Sequence, residues 1–289
     1  MKVSGFSFVK NAVIYGYPVT ESIRSILPLV DEMIICLGDS EDETEALIRS
    51  IPGEKIRIIH SVWDPELRTG GKVLAAETNK ALAATAADSD WLFYIQADEV
   101  VHEEDHAAIK AAMEKYLPDK ETEGLLFNYR HFYGSYKYLG DGRSWYTKEI
   151  RVIRNDKKIM SYRDAQGFRW EDNRKLKVRQ INARIFHYGW VRNPVKMHRK
   201  MANFGRLYNP TVGPAGPEEV VFDYSTVDSV VLHTGTHPAL MKELIGKEDW
   251  EFNRPEKEKK FKNIKHRILY FLAKKFYWRP FAYRNYKRI

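Results

Sequence analysis

The segment Trp91-Leu-Phe-Tyr-Ile95 is a run of five apolar residues that stops on Gln96-Ala97-Asp98-Glu99. A buried strand ending in this way delivers carboxylates to the edge of a sheet. Carboxylates placed there suit a hard divalent cation bridging phosphate oxygens. The same acids also suit a plainer role, capping the next helix or lining a solvated turn. Three other apolar stretches end on polar residues, at Lys10-Asn11, at Gly38-Asp39-Ser40, and along the loop from Ser61 to Lys72. In an open parallel sheet ligands bind in the crevice at the carboxyl ends of the strands, so these four ends are the first candidates for a site.

For the four ends to share one crevice the strands must run parallel, and parallel neighbours need crossover helices between them. The first 130 residues have that form. Val3 to Val9 is expected as a strand, and Pro18 opens a helix with Ile23, Ile26, Leu27 and Val30 on one face. Met33 to Leu37 reads as a buried strand, and Ser40 with Glu43 has the capping-box spacing of a helix start. Pro52-Gly53 stops that helix before the strand Lys55 to His60, and an Ala-rich helix runs from about Lys72 to Ala87. After Trp91 to Ile95 comes a helix whose first turn is acidic (Glu103, Glu104, Asp105), then a strand from Gly124 to Tyr129. Beyond residue 130 the pattern changes to aromatic-rich, hairpin-like segments, with strands at Glu149 to Arg154 and Ile181 to Tyr188 and a helix opened by Asn193-Pro194. No internal repeat is present.

The stretches around Val3 to Asn11, Val30 to Thr44, Gly70 to Asn79 and Trp91 to Glu99 resemble, in order and spacing, the glycosyltransferase family 2 superfamily with its GT-A fold. The likeness covers residues 3 to 130 well and is looser to about 210, where Arg151-Val-Ile-Arg-Asn155 and His187-Tyr-Gly-Trp190 look like segments of family 2-like proteins. It implies an α/β, Rossmann-like, mostly parallel central sheet flanked by helices; beyond about residue 210 it says little, and there the charge and periodicity of the chain itself predict a helical basic C-terminal extension. Residues 1 to 210 would form the transferase domain, split at 130 into a nucleotide-sugar-binding half and an acceptor half. Residues 211 to 253 would be a loop and helical extension, and 254 to 289 a basic amphipathic tail.

The resemblance also implies an activity: transfer of a sugar from a nucleoside-diphosphate sugar to a hydroxyl of a glycan or lipid-linked acceptor, assisted by Mg²⁺ or Mn²⁺ and inverting. Gln96-Ala97-Asp98 occupies the place of the family's Asp-x-Asp motif, so Asp98 would contact the metal and Gln96 would hydrogen-bond the ribose or sugar. Asp39 stands one position from the family's base-contacting acid, with Asn11 at the first strand end. Arg68 and Lys72 lie where such families set cations against donor phosphates, and a helix N-terminus itself favours an anion. Asn79 follows Thr78 where a family Arg usually stands. His187, at a strand end, is placed for a further metal ligand or for a packed, hydrogen-bonded core role. An inverting transferase also needs a carboxylate base for the acceptor hydroxyl. Asp164 is the first candidate, followed by Glu171 and Asp172, each of which also suits an ion pair with Arg163, Arg169 or Arg174. A nucleotide-sugar- or glycan-binding protein on the same fold without catalysis is the first alternative, motivated by Gln96, and a nucleic-acid-associated protein acting through the basic C-terminal residues is the second, weaker one.

Charge separates the chain into two parts. The net +8 of the 289 residues hides a tail, 254 to 289, with thirteen Lys and Arg against two Glu, or +11, and a body of −3. The tail reads as an amphipathic helix over Asn263 to Trp278 with Ile264, Ile268, Phe271 and Leu272 on one face. Such a helix would lie on an anionic membrane surface or dock on the body. Nucleic acid is not expected as a partner, because no nucleic-acid-binding motif accompanies the charge. With one cysteine, Cys36, no intramolecular disulfide can form. No apolar run reaches the length of a membrane span, and the expected place is the cytoplasm, peripheral to the inner face of the membrane.

Overall fold

The computed structural model describes residues 1–67, 69–209, 211, 220–254, 258–276 and 278–289. In chain order the N-terminal half contains β1 (Val3–Val9), α1 (Ala12–Tyr15), α2 (Val19–Ile26), β2 (Glu32–Gly38), α3 (Thr44–Arg49), β3 (Ile56–Ser61), α4 (Lys72–Ala83), β4 (Trp91–Tyr94), β5 (Glu99–Val101) and α5 (His106–Tyr116). The second half contains β6 (Gly124–Tyr133), β7 (Ser135–Gly140), β8 (Lys148–Arg154), β9 (Ile159–Tyr162), β10 (Gly167–Trp170), β11 (Lys177–Trp190), α6 (Pro194–Tyr208), β12 (Val230–Leu232), α7 (Lys242–Gly246), α8 (Ile264–Lys275) and β13 (Lys287–Arg288).

The class is α/β, with a central mixed sheet in the order β12-β7-β6-β8-β4-β1-β2-β3. Its first part is the expected one: β3, β2, β1 and β4 are mutually parallel. Consecutive residues of β2 enter opposite layers, Met33, Ile35 and Leu37 with α2, and Ile34 and Cys36 with α4. A strand buried on both faces must be apolar throughout, which is why Met33 to Leu37 carries no polar residue. The antiparallel β8 is inserted between β4 and β6. β11 runs parallel to β6 and antiparallel to β5, and so holds the segment after β4 from the other side.

Local departures from the sequence pattern have local causes. The Ser40 and Glu43 capping box does not form. Ser40 Oγ instead accepts from the Asn11 N–H at 3.1 Å, and Asp42 accepts from Thr44 N–H at 3.1 Å to start α3. The Ala-rich helix ends at Ala83 rather than Ala87, because the carbonyls of Ala86, Ala87 and Ser89 turn to accept from the Asn155 side chain. The strands read as Gly124 to Tyr129 and Ile181 to Tyr188 are longer, pairing with each other as far as Tyr133 and Trp190. The C-terminal residues return to the sheet: β13 pairs with β11, Asn285 is buried, and Ile289 N–H donates to Val178 O at 3.1 Å. Among the described residues no helix is long and apolar enough to cross a membrane.

Candidate active site

The carboxyl ends of β1, β2 and β4 open into a cleft of about 1010 Å³, closed on the far side by β11, α6 and the loop before β8. Lys10, Asn11, Asp39, Gln96, Asp98, Asp164 and His187 all line it, so residues spread over most of the chain meet in one place. The physical cause is the parallel sheet, which points every strand end of the first half the same way.

At the floor, Asp98 meets His187 and Lys200. Asp98 Oδ2 lies 3.6 Å from His187 Nε2 and 3.5 Å from Lys200 Nζ, and the Lys200 side chain is only 7% exposed. Lys200 Nζ also donates to Gly189 O at 2.7 Å. Burial alone would raise the Asp98 carboxyl, but His187, Lys200 and Arg192 outweigh it and hold the group well below the usual carboxylate range. For Lys200, burial pushes the ammonium down to about 7, reinforced by Arg192 and opposed by Asp98. The other ring nitrogen of His187, Nδ1, faces His131 Nδ1 at 3.1 Å, which turns Nε2 toward Asp98. A Cβ added to Gly189 would stand 2.4 Å from His187 Nε2 and 2.7 Å from Asp98 Oδ2, so only glycine leaves the two groups free to converge.

Asp98 is held there by its neighbour. Glu99 points to the opposite side into a fully buried pair with Arg151, whose Nε donates to Glu99 Oε2 at 2.8 Å and whose Nη2 donates to Oε1. Tyr129 OH donates to Oε1 as well, and Gln96 N–H to Oε2 at 3.1 Å. With both oxygens satisfied, this pair ties the turn carrying Asp98 to β8. Removing one partner would leave an uncompensated buried charge. The Arg151 to Asn155 segment thus belongs to the frame: Arg154 lies over Trp91 and donates to the carbonyls of Tyr116, Leu117, Asp119 and Thr122.

The remaining expected residues fall into two groups. In the cleft, Asp39 is paired with Lys10 Nζ at 2.7 Å; burial pushes its carboxyl up, and Lys10 and the Trp63 N–H overcome this and hold it below its ordinary value. Asn11, in a left-handed conformation, accepts from Glu41 N–H at 2.8 Å. Gln96 Nε2 donates to Tyr94 OH at 3.3 Å and Ala165 O at 3.2 Å, spanning the cleft floor to the β9–β10 turn. Asp164, on that turn, accepts from Tyr208 OH at 2.6 Å through Oδ2, while its buried Oδ1 has no protein partner. Outside the cleft lie Glu171 and Asp172. They are exposed at the far end of β10, Glu171 3.8 Å from Lys158 and Asp172 accepting from Arg174 N–H at 2.9 Å, because the two-stranded β9–β10 ribbon carries them away from Asp164.

Lys72 is exposed and does not line the cleft either. Just before α4, the Gly70 and Gly71 N–H donate to Tyr208 O and Leu207 O of α6, so these two amides are committed to the protein. Gly71 has φ +71° and no room for a Cβ beside Asp164 and Tyr208, so the glycine pair serves the packing of α6. Arg68 lies outside the described residues. Asn79 accepts from Ser161 N–H at 2.7 Å and anchors β9.

Sequence reasoning missed Lys200 and Trp63. Lys200 falls in phase with the apolar stripe Met197, Met201 and Phe204 of α6, and a lysine on the buried side of an amphipathic helix was the available signal. Trp63 lies across Gly38, where a Cβ would come within 2.5 Å of its Nε1. It packs near Phe8 and beneath Lys10, and its indole N–H is buried without a protein partner. Trp145, Tyr146 and Trp190 form an aromatic wall on the other side.

No known family model and no curated protein matches the chain. Among solved structures it is similar to S. aureus TarS 1-349 in complex with UDP, at 14% identity over 72% of this chain and 64% of that one, with a TM-score of 0.39. It is also similar to glucosyl-3-phosphoglycerate synthase from Mycobacterium tuberculosis in complex with Mn²⁺, UDP and phosphoglyceric acid, at 21% identity over 46% of this chain and 43% of that one, with a TM-score of 0.30. This chain therefore spans less than two thirds of either.

Proposed function

We propose that the chain is a glycosyltransferase that moves a sugar from a nucleoside-diphosphate sugar to a hydroxyl of a glycan or lipid-linked acceptor, with inversion and with a divalent ion. The observation that carries this reading is the convergence of Asp98, His187 and Lys200 at the floor of a large strand-end cleft. One carboxylate and one imidazole, 3.6 Å apart across the bare Cα of Gly189, fit two ligand positions of one Mg²⁺ or Mn²⁺. When bound, the ion would neutralise charge on the departing diphosphate. Gln96 is not a ligand in this reading, since it is neutral and its amide nitrogen is committed to Tyr94 and Ala165.

The chain's own residues do the rest. Lys200 holds a donor phosphate, with Arg192 behind it adding positive charge. Trp63 offers an aromatic face, and Asp39 a carboxylate, to the nucleobase. Trp145, Tyr146 and Trp190 stack on the acceptor sugar. Asp164, which lines the cleft and is oriented by Tyr208, takes the acceptor hydroxyl's proton as that oxygen bonds to the anomeric carbon and the diphosphate leaves with the electron pair of the broken C–O bond.

The test is a panel of nucleotide sugars with and without Mn²⁺, read by thermal shift and then by release of nucleoside diphosphate. Asp98→Asn is expected to lower turnover by on the order of 10²–10³-fold and to abolish the Mn²⁺-dependent part of the shift. Wild-type turnover in that variant overturns the reading. The neutral Gln96 favours one second reading, a nucleotide-sugar-binding protein without catalysis. Nucleotide binding with neither hydrolysis nor transfer across the panel would establish it.

A further inference from the structure

Helix α8 is fastened to the body by one face. Tyr270 is buried, its OH donating to Asp141 Oδ2 at 2.6 Å and accepting from Lys259 Nζ at 2.7 Å, and Lys274 Nζ pairs with Asp141 at 2.7 Å. That attachment fixes which residues are left outside. Ile264, Ile268 and Phe271, at i, i+4 and i+7, are exposed in one stripe, and Phe276, Trp278 and Phe281, which follow in sequence, are exposed as well. Ile264 is 76% and Phe281 91% exposed, well beyond the scattered apolar residues normal on a protein surface.

Cations rim these side chains. Lys275 Nζ lies 5.5 Å from the Phe271 ring and 5.8 Å from the Phe276 ring, and the two rings are themselves 6.2 Å apart. Lys262, Lys265 and Arg267 are exposed, and no Asp or Glu occurs between Lys259 and Ile289. A surface of Ile, Phe and Trp in a segment whose charged residues are Lys, Arg and no acid matches one partner chemistry, acyl chains beneath anionic headgroups. Its place on the molecule is also defined. Arg143 Nη2 donates to Pro280 O at 2.6 Å, and Arg279 donates to Trp145 O at 2.8 Å and Gly142 O at 3.2 Å. Trp145 lines the cleft, so the apolar turn after α8 is bolted to the cleft's own wall.

We propose that α8 and residues 278 to 281 form an interfacial docking surface for an anionic lipid bilayer, which sets the cleft beside the membrane. The surface stands apart from the transfer reading, because lipid binding needs neither donor nor acceptor and fails or succeeds separately from activity. The test is co-sedimentation of the full chain with vesicles of phosphatidylcholine, with and without a minor fraction of phosphatidylglycerol. Binding is expected only with phosphatidylglycerol and is expected to be lost in about 0.5 M salt. Two variants share the surface but not the chemistry: Ile268→Ser/Phe271→Ser/Phe281→Ser, and Lys262→Glu/Lys265→Glu/Arg267→Glu. Each should weaken vesicle binding at least roughly tenfold with unchanged melting temperature, since all six side chains are solvent-exposed. Absence of binding to phosphatidylglycerol vesicles overturns the proposal, as does binding that neither variant weakens. So does a dimer that the serine variant converts to monomer, or RNA binding that replaces vesicle binding.

Discussion

Arg151, Arg192 and Lys200 are almost wholly buried, whereas Lys262, Lys265 and Arg267 around α8 stand in solvent. Each buried cation has acceptors built around it: Glu99 for Arg151, the carbonyls of Tyr15 and Gly189 for Arg192, and Asp98 with Gly189 O for Lys200. Lys275, also in solvent, stands beside the exposed rings of Phe271 and Phe276. A charge in low dielectric must be answered by the fold, so it fixes geometry; an exposed charge is answered by water and salt, so it is free to meet a partner. The same residue types therefore line a cleft in one region and stand in solvent in the other.

This contrast can be broken most severely at Arg151. Arg151→Met leaves Glu99 buried and unpaired, and the expected loss is about 3–5 kcal/mol in urea unfolding; a loss below about 1 kcal/mol would remove the distinction between the two regions. Next is Lys200→Met, expected to weaken nucleoside-diphosphate binding roughly tenfold, about 1.4 kcal/mol by calorimetry, while leaving vesicle binding as it was. Unchanged nucleotide affinity would take Lys200 out of the phosphate site.

Glu149 gives a smaller effect with a definite sign. Burial pushes its carboxyl up to about 8, opposed by Arg151 and aided by Glu99 and Asp164. Between about 4.5, its ordinary value, and about 8, the folded chain keeps a proton that the unfolded chain has released. Stability carried by this group therefore falls as pH rises through that window and levels off above it. Glu149→Gln should flatten that part of the melting-temperature profile, and an unaltered slope would place the group in water. The smallest change belongs to the tail: Lys262→Ala or Lys265→Ala should alter folding stability by no more than about 0.5 kcal/mol. A larger loss would mean that these cations are answered by the fold after all.

Much of the frame was legible in the residues. The apolar runs of β1, β2 and β4 and the cap Asn193-Pro194 are local signals, and the structure agrees with them to within a residue or so. Of the candidate residues, Asn11, Asp39, Gln96, Asp98, Asp164 and His187 reach the cleft. Glu171 and Asp172 do not, although they lie within eight positions of Asp164, because a β-ribbon turns nearness in sequence into separation in space. The Ser40 and Glu43 spacing suited a capping box, but Ser40 was drawn to the backbone of Asn11, a partner 29 positions away.

What the residue order determined by itself is everything set by near neighbours: strand and helix periodicity, the acidic strand end at Asp98, and the division of charge between body and tail. What only the tertiary structure decided is which distant groups meet. Lys200 comes to Asp98 from 102 positions away, Arg151 to Glu99 from 52, and Arg279 to Trp145 from 134. Local pattern reports which side of an element is apolar. It does not report which charge another element will set against it, since that pairing is enforced only when both are taken out of water together.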